Sequence, residues 1–406
     1  MIPVLRSSWP LLLGVLLLLL GNGMQGTVLG LRGAIEGYGA QTMSWVMSAY
    51  FAGFLVGARL APRMIRRVGH VRVFAALGAT ISAAFVLYAE AVHPLAWMAL
   101  RFVVGLCFCG VYVTAESWLN EASSNETRGQ ALSLYMIAQM IGIIAAQGLV
   151  TLADPAGHRL FVVMSVLVSL SFLPILLSAG QAPAFRSAAP MTLRMLFRIS
   201  PLGCVGTFLL GAVYAGLFSM PAVWGAERGL ATGQIAGFVA AIYIGGLVAL
   251  FPLGWLSDRL ERRVLILALA LFGAAFAAIS LPLLDSFPVV LALGFALGAV
   301  ANPLYSLLIA YTNDFLDRAD MPAASGGLLF LNGAGAIGGT LALGQLMKRF
   351  GPDAFFVLQA VLLGLIAAYA LWRATRRAPP PVVAPVTPVT AQATAVAMET
   401  AAGAGR

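Results

Sequence analysis

Apolar stretches of about 20 residues follow one another along this chain almost without pause. Each is long enough to cross roughly 30 Å of hydrocarbon as an α-helix. Twelve are counted, near 10–32, 42–61, 72–92, 95–119, 128–150, 159–179, 201–224, 232–256, 264–284, 287–311, 324–346 and 353–373. The composition is 61% hydrophobic and 10% charged, against roughly 25% charged in a soluble domain. Mean hydropathy is +0.93. The first stretch follows a very short N-terminal region and eleven more succeed it, so it is expected to be an anchor rather than a cleaved signal peptide.

An internal echo divides the chain. Ala99 to Glu121 reads ALRFVVGLCFCGVYVTAESWLNE, and Ala292 to Asp314 reads ALGFALGAVANPLYSLLIAYTND. At a shift of 193 positions Ala99, Leu100, Phe102, Gly105, Tyr112 and Asn120 recur as Ala292, Leu293, Phe295, Gly298, Tyr305 and Asn313, and Asp314 answers Glu121. Both copies lie in apolar stretches, as expected of two related membrane halves. A parallel repeat of six-span halves is a signature of secondary transporters.

Arginine placement predicts orientation. With both termini inside, seventeen basic residues fall on inner segments and five on outer ones, leaving aside Arg101 within span four and Arg406 at the end of the tail. That is a strong positive-inside bias, and an odd number of spans would scramble it. The net charge of +9 therefore reads as membrane topology and contact with anionic lipid, not as a nucleic-acid footprint. The expected organisation is a first six-helix lobe over 1–180, a basic cytoplasmic linker over 181–200, a second lobe over 201–377, and a disordered Pro/Ala/Thr-rich cytoplasmic tail over 378–406.

Several chemistries are excluded by what is missing. Lys348 is the only lysine, so no glycine-rich G-x-x-x-x-G-K-[ST] loop exists and ATP-driven pumping in cis is ruled out. His70, His93 and His158 all fall in predicted connections, which leaves a haem or metal site within the bundle without its usual ligands. Cys107, Cys109 and Cys204 lie in apolar spans and are expected to be small hydrophobes without a disulfide. No serine has glycine two before and two after, so the hydrolase elbow is absent. Neither an enzyme nor a cofactor is expected.

Loops between spans carry a family resemblance. GWLSDRLERR, Gly254 to Arg263, resembles the inner-loop signature G-x-L-x-D-R-x-G-R-R of the major facilitator superfamily. PRMIRRVGHVR, Pro62 to Arg72, resembles its degenerate twin, with Arg66 and Arg67 where Asp and Arg are expected. LRFVVG, Leu100 to Gly105, is similar to the R-x-x-x-G motif of span four, and NETRGQALS, Asn125 to Ser133, to the Arg-Gly start of span five. The resemblance covers about residues 8–375. It implies an all-α membrane protein, with twelve transmembrane helices in two pseudo-symmetric six-helix lobes rocking about a midplane site. It also implies a gate near Gly254, Asp258, Arg259 and Arg128. Asp258 can pair with arginines and accept from the start of the next helix, while Gly254 allows close approach. Arg262 and Arg263 are read as topology alone. Arg66 in place of the acid alters or removes the latch in the first half, and Glu261 replaces the usual second glycine.

Polar residues inside spans mark a pathway, since lipid penalises them. Asn22 and Gln25 are three apart in span one and share a face. Arg101 lies about 10 Å below the outer boundary of span four, and Gly105 and Tyr112 follow on its face. Glu116 is rotated by about 60° and lies roughly 22 Å from Arg101 along the helix, too far to pair. Span ten offers Asn302 and Tyr305. Gln139, Tyr214, Tyr243 and Asn332 are further candidates, each equally suited to a hydrogen bond between helices worth about 0.6 kcal/mol. Glu116 is expected to snorkel to the inner interface, with a place on the pathway as the alternative. Arg101 costs about 2.5–3.5 kcal/mol at mid-helix, which favours a cavity or a partner. In the superfamily spans one, four, seven and ten line the cavity, and Asn22, Gln25, Arg101, Tyr112, Asn302 and Tyr305 fall on three of them.

The expected function is secondary active transport of a small polar or anionic organic solute across the inner membrane by a monomer, coupled to an ion or proton gradient. Small-molecule substrate, protons and membrane lipid are the expected partners. Proton-driven multidrug efflux and a non-transport role as a membrane assembly factor compete with it. Span five, AQMIGIIAAQG, lacks the glycine-proline motif typical of drug antiporters.

Overall fold

The computed structural model describes residues 2–121, 123–124, 127–176, 191–317, 320–376, 394 and 396–398. Within them fourteen α-helices run in the order α1 (Ile2–Ile35), α2 (Ala40–Val68), α3 (His70–Glu90), α4 (Pro94–Glu121), α5 (Arg128–Val150), α6 (Arg159–Leu176), α7 (Leu193–Ile199), α8 (Pro201–Ser219), α9 (Pro221–Glu227), α10 (Thr232–Ser257), α11 (Arg262–Ser280), α12 (Phe287–Asn313), α13 (Met321–Phe350) and α14 (Ala354–Ala374). Helix is the only open-ended way to satisfy every backbone N–H and C=O in hydrocarbon, so the apolar stretches become helices. Eleven helices are long and apolar enough to span a membrane. The twelfth expected span is the 18-residue α6, which runs to the edge of the described residues.

Helices outrun the apolar stretches at several ends, because the hydrogen-bond ladder continues into the headgroup region. Span seven is broken instead: α8 stops at Ser219 and α9 restarts with Pro221 at its first position. Of the expected linker, 181–190 lies outside the described residues, and the remainder holds α7, whose first turn is capped by Thr192 accepting from the Met195 N–H at 3.3 Å. Of the tail, only 394 and 396–398 are described. Asn125 and Glu126 of the span-five motif are likewise outside. His70 corrects an expectation. It is not in a connection but opens α3 and is buried, because a single residue, Gly69 at φ 83°, makes the whole turn from α2.

By packing, the chain divides into one unit of Met1–Ser187 with Phe218–Ala240 and another of Ala188–Leu217 with Ala241–Arg406. In the first, α1 packs on α5 and α6, α4 on α2 and α3, and α9 on α1. In the second, α11 packs on α12 and α14, and α7 on α13.

The echo between halves has a steric cause. A Cβ on Gly105 would strike the Tyr50 carbonyl of α2, and one on Gly298 the Ile242 carbonyl of α10. Reciprocally, Gly53 lies against the Phe102 carbonyl and Gly245 against that of Phe295. A second pair at the same shift of 193, Gly142 and Gly335, lies against the carbonyls of Leu16 in α1 and Phe208 in α8. Without a driving force between lipid-like surfaces, close backbone approach at small residues is what holds such helices together.

Candidate functional site

α4 carries Arg101 into the first unit, where its side chain is only 4% exposed. The close approach at Gly105, one turn further on, brings the Tyr50 ring under the guanidinium, with Cζ 4.9 Å from the ring centroid. Nη2 lies 3.1 Å from the Met47 sulfur, a weak acceptor, and Nε has no hydrogen-bond partner among the described residues. No described carboxylate lies within ion-pair distance of Arg101. A desolvated cation over an aromatic face gains about 2 kcal/mol. That falls short of the several kcal/mol that desolvating an ion costs. The site therefore favours an anion.

Two neutral hydrogen-bonded pairs lie in the same unit. Gln25 of α1 donates from Nε2 to the Tyr88 hydroxyl of α3 at 2.9 Å, while its Oε1 is buried without a partner among the described residues. Tyr88 is itself held by Trp97, whose indole N–H donates to the Tyr88 carbonyl at 3.1 Å. Asn22 Nδ2 donates to the Tyr112 hydroxyl at 3.4 Å. Tyr50, Phe54, Phe108 and Tyr112 form a continuous aromatic cluster with ring centroids 5.8–6.5 Å apart. Thus Asn22 pairs with Tyr112 and Gln25 with Tyr88, and the aromatic cluster links Tyr112 to the Tyr50 ring under Arg101.

Glu116 departs from the snorkelling expectation. It is 2% exposed and accepts from the Tyr135 hydroxyl of α5 at 3.5 Å. α4 continues to Glu121, so Glu116 lies more than a turn inside the helix and packs against its neighbour. Gln139, one turn further along α5, is buried with neither side-chain polar atom hydrogen-bonded among the described residues.

In the second unit the Tyr214 hydroxyl of α8 donates to Asn302 Oδ1 of α12 at 3.1 Å and stands 3.2 Å from the Ala301 carbonyl. Tyr305 meets the Tyr214 ring edge-on at 5.8 Å. Asn302 Nδ2 is buried without a hydrogen-bond partner among the described residues, close to Gly246. Asn332 of α13 donates to the Thr207 carbonyl of α8 at 3.5 Å and so ties two helices.

A separate charged cluster joins α11 to α12. Arg262, the first residue of α11, is 2% exposed; its Nη1 donates to the Asp314 carboxylate and lies 3.4 Å from the Ala310 carbonyl. Asp258 stands 4.0 Å from Arg262 Nη2. Arg263 is buried as well and pairs with Glu261 at 2.7 Å. The topological reading of both arginines is therefore corrected: a guanidinium forced under a helix end needs a carboxylate. α11 begins without a side-chain cap, so Asp258 meets the arginine rather than the helix N-terminus. Gly254 borders a small cleft with Ser257, Pro303 and Ser306. Arg259 stacks on Trp255 at 3.7 Å. Arg128 opens α5, its Nε without a partner among the described residues.

Tyr50, Tyr88 and Asp314 are missing from the sequence reading of the site. Phenols in apolar spans two and three were the available signal for the first two, and the Glu121–Asp314 echo for the third.

The profile of the Major Facilitator Superfamily matches residues 11–246 and again 203–400. The chain is 26% identical over 357 residues to the uncharacterized MFS-type transporter YcaD of Escherichia fergusonii, covering 87% of this chain and 92% of the relative. The YcaD protein of Salmonella dublin is likewise 26% identical over 359 residues, covering 87% and 92%. Among solved structures, a point variant of the nucleoside transporter NupG superposes with TM-score 0.77 at 14% identity, covering 90% of this chain and 99% of that one. The Escherichia coli fucose:proton symporter FucP gives TM-score 0.58 at 17% identity, covering 92% and 99%. The chain is a multi-pass, all-α membrane protein with twelve membrane-spanning helices in two lobes, and it belongs to the major facilitator superfamily.

Proposed function

We propose that this protein is a secondary active transporter that moves a small organic anion across the inner membrane by alternating access, coupled to protons or another ion. The observation that carries this reading is Arg101, a buried guanidinium with a ring and a thioether beside it and no described carboxylate in reach. An anion entering the site supplies the missing charge, and its release restores the cost. Asn22, Gln25 and Tyr112 contribute neutral hydrogen bonds in the first unit; Asn302 and Tyr305 do so in the second. Glu116 is the proposed ion-pathway residue of span four. Proton coupling draws support from the likeness to FucP, a fucose:proton symporter. Gly254, Asp258, Arg259 and Arg128 are the proposed gating set. The positive-inside pattern supports cytoplasmic termini, and a monomer is the proposed working unit.

Cationic drug efflux is the weaker reading, because the buried charge beside the aromatic cluster is positive and repels a cation.

The test is flux in proteoliposomes, normalised to inserted protein. Arg101→Ala abolishes transport of an anionic solute, and Arg101→Lys recovers only part, since an ammonium keeps the charge but loses the planar fork. Flux of the alanine variant equal to wild type, or broad transport of cationic dyes by wild type, overturns the reading.

A further inference from the structure

The anion site carries a second unsatisfied group, and it is an acceptor. Gln25 is 1% exposed. Its amide nitrogen is committed to the Tyr88 hydroxyl at 2.9 Å, and its Oε1 has no hydrogen-bond partner among the described residues. A buried acceptor left unpaired is costly, and a ligand donor removes that cost. Arg101 and Gln25 come from different helices and both neighbour Tyr88: Gln25 by the hydrogen bond, Arg101 by standing one turn along α4 from Trp97, whose indole holds the Tyr88 carbonyl. Donor and acceptor thus flank one tyrosine. The wall beside them is aromatic, built from Tyr50, Phe54, Phe108 and Tyr112.

From this arrangement, and resting on the anion reading above, we infer that the transported anion is a monocarboxylate with a hydroxyl next to the carboxylate and an apolar, planar body. The guanidinium takes the carboxylate. The hydroxyl donates to Gln25 Oε1, and the body lies on the aromatic cluster. An amino group in place of the hydroxyl fits worse, since an ammonium places a second cation beside Arg101 with only a neutral amide to receive it. A dicarboxylate leaves one charge without a counterion.

The probes are mandelate, phenylacetate and the O-methyl ether of mandelate, titrated by calorimetry into the purified full-length protein in detergent. The three share the carboxylate and the ring, but only mandelate can donate to Gln25. A site built to receive a hydroxyl rejects the analogue lacking it by up to about 10⁴-fold. Mandelate is expected to bind at least about tenfold more tightly than either analogue. Gln25→Met keeps the side-chain length and removes the acceptor, and is expected to bring the mandelate-to-phenylacetate ratio close to one. Arg101→Ala is expected to lose all three ligands. Equal affinity for mandelate and phenylacetate in wild type, with both lost in Arg101→Ala, overturns the hydroxy-acid inference and leaves the anion reading standing. No binding of any carboxylate to wild type at millimolar concentration overturns both. The methyl-ether comparison needs no mutation, so a Gln25→Met variant that fails to fold leaves the inference equally exposed.

Discussion

Two acidic residues near the start of α11 differ sharply in what their removal costs. Asp314 and Arg262 are a buried pair, their side chains 2% and 1% exposed, whereas the Asp258 side chain is 34% exposed and stands at the limit of ion-pair distance. Breaking a buried pair by removing one partner costs about 3–5 kcal/mol, while an exposed pair is worth about 0–1 kcal/mol. Arg262→Met is therefore expected to lower thermal stability in detergent strongly. The double variant Arg262→Met, Asp314→Leu is expected to recover most of the loss, because the uncompensated charge is gone. Asp258→Asn is expected to unfold within a few degrees of wild type. Its proposed gating role shows instead in cysteine accessibility of the two membrane faces, which shifts without loss of protein. A melting curve for Arg262→Met that overlays wild type contradicts the buried-pair argument.

Among helices, the contact at small residues decides which pairs form. Gly105 and Gly298 hold equivalent positions against carbonyls of α2 and α10, and an alanine methyl at either meets backbone, which cannot rotate away. Gly105→Ala and Gly298→Ala are each expected to destabilise by about 1–3 kcal/mol through overpacking. Gly338 of α13 is exposed with nothing within 4 Å of a built Cβ. Gly338→Ala is expected to stabilise by about 0.5–1 kcal/mol, because only the helix-propensity effect remains. Fluorescence-detected gel filtration after a heating series orders the three variants. Gly105→Ala as stable as Gly338→Ala sinks the steric account of the echo.

Across the whole molecule, an even number of spans and a seventeen-to-five bias of basic residues imply one orientation. Cys107, Cys109 and Cys204 are free and buried, so single introduced cysteines report without background. Ser286→Cys, between α11 and α12, is expected to react with a membrane-impermeant maleimide on intact spheroplasts. Leu260→Cys, between α10 and α11 and 46% exposed in the native residue, is expected to react only after the membrane is opened. The opposite pattern inverts the topology and moves the Arg262 cluster to the other face.

Span number, helical class and family were legible because each is a local sum. Length and apolarity over about 20 residues settle whether a segment crosses the bilayer, and a loop motif such as GWLSDR is read without knowing any neighbour. The echo at Gly105 and Gly298 was also visible in one dimension, although its cause was not. Which side chains meet was a different matter. Arg262 looked like one more basic loop residue until the end of α12 brought Asp314 beneath it. Tyr50 and Tyr88 looked like ordinary span aromatics until the crossings of α2 and α3 with α4 set the first under Arg101 and the second against Trp97. Rotation and crossing of helices depend on backbone contacts between segments far apart in the chain, and no window along the sequence contains both sides of such a contact.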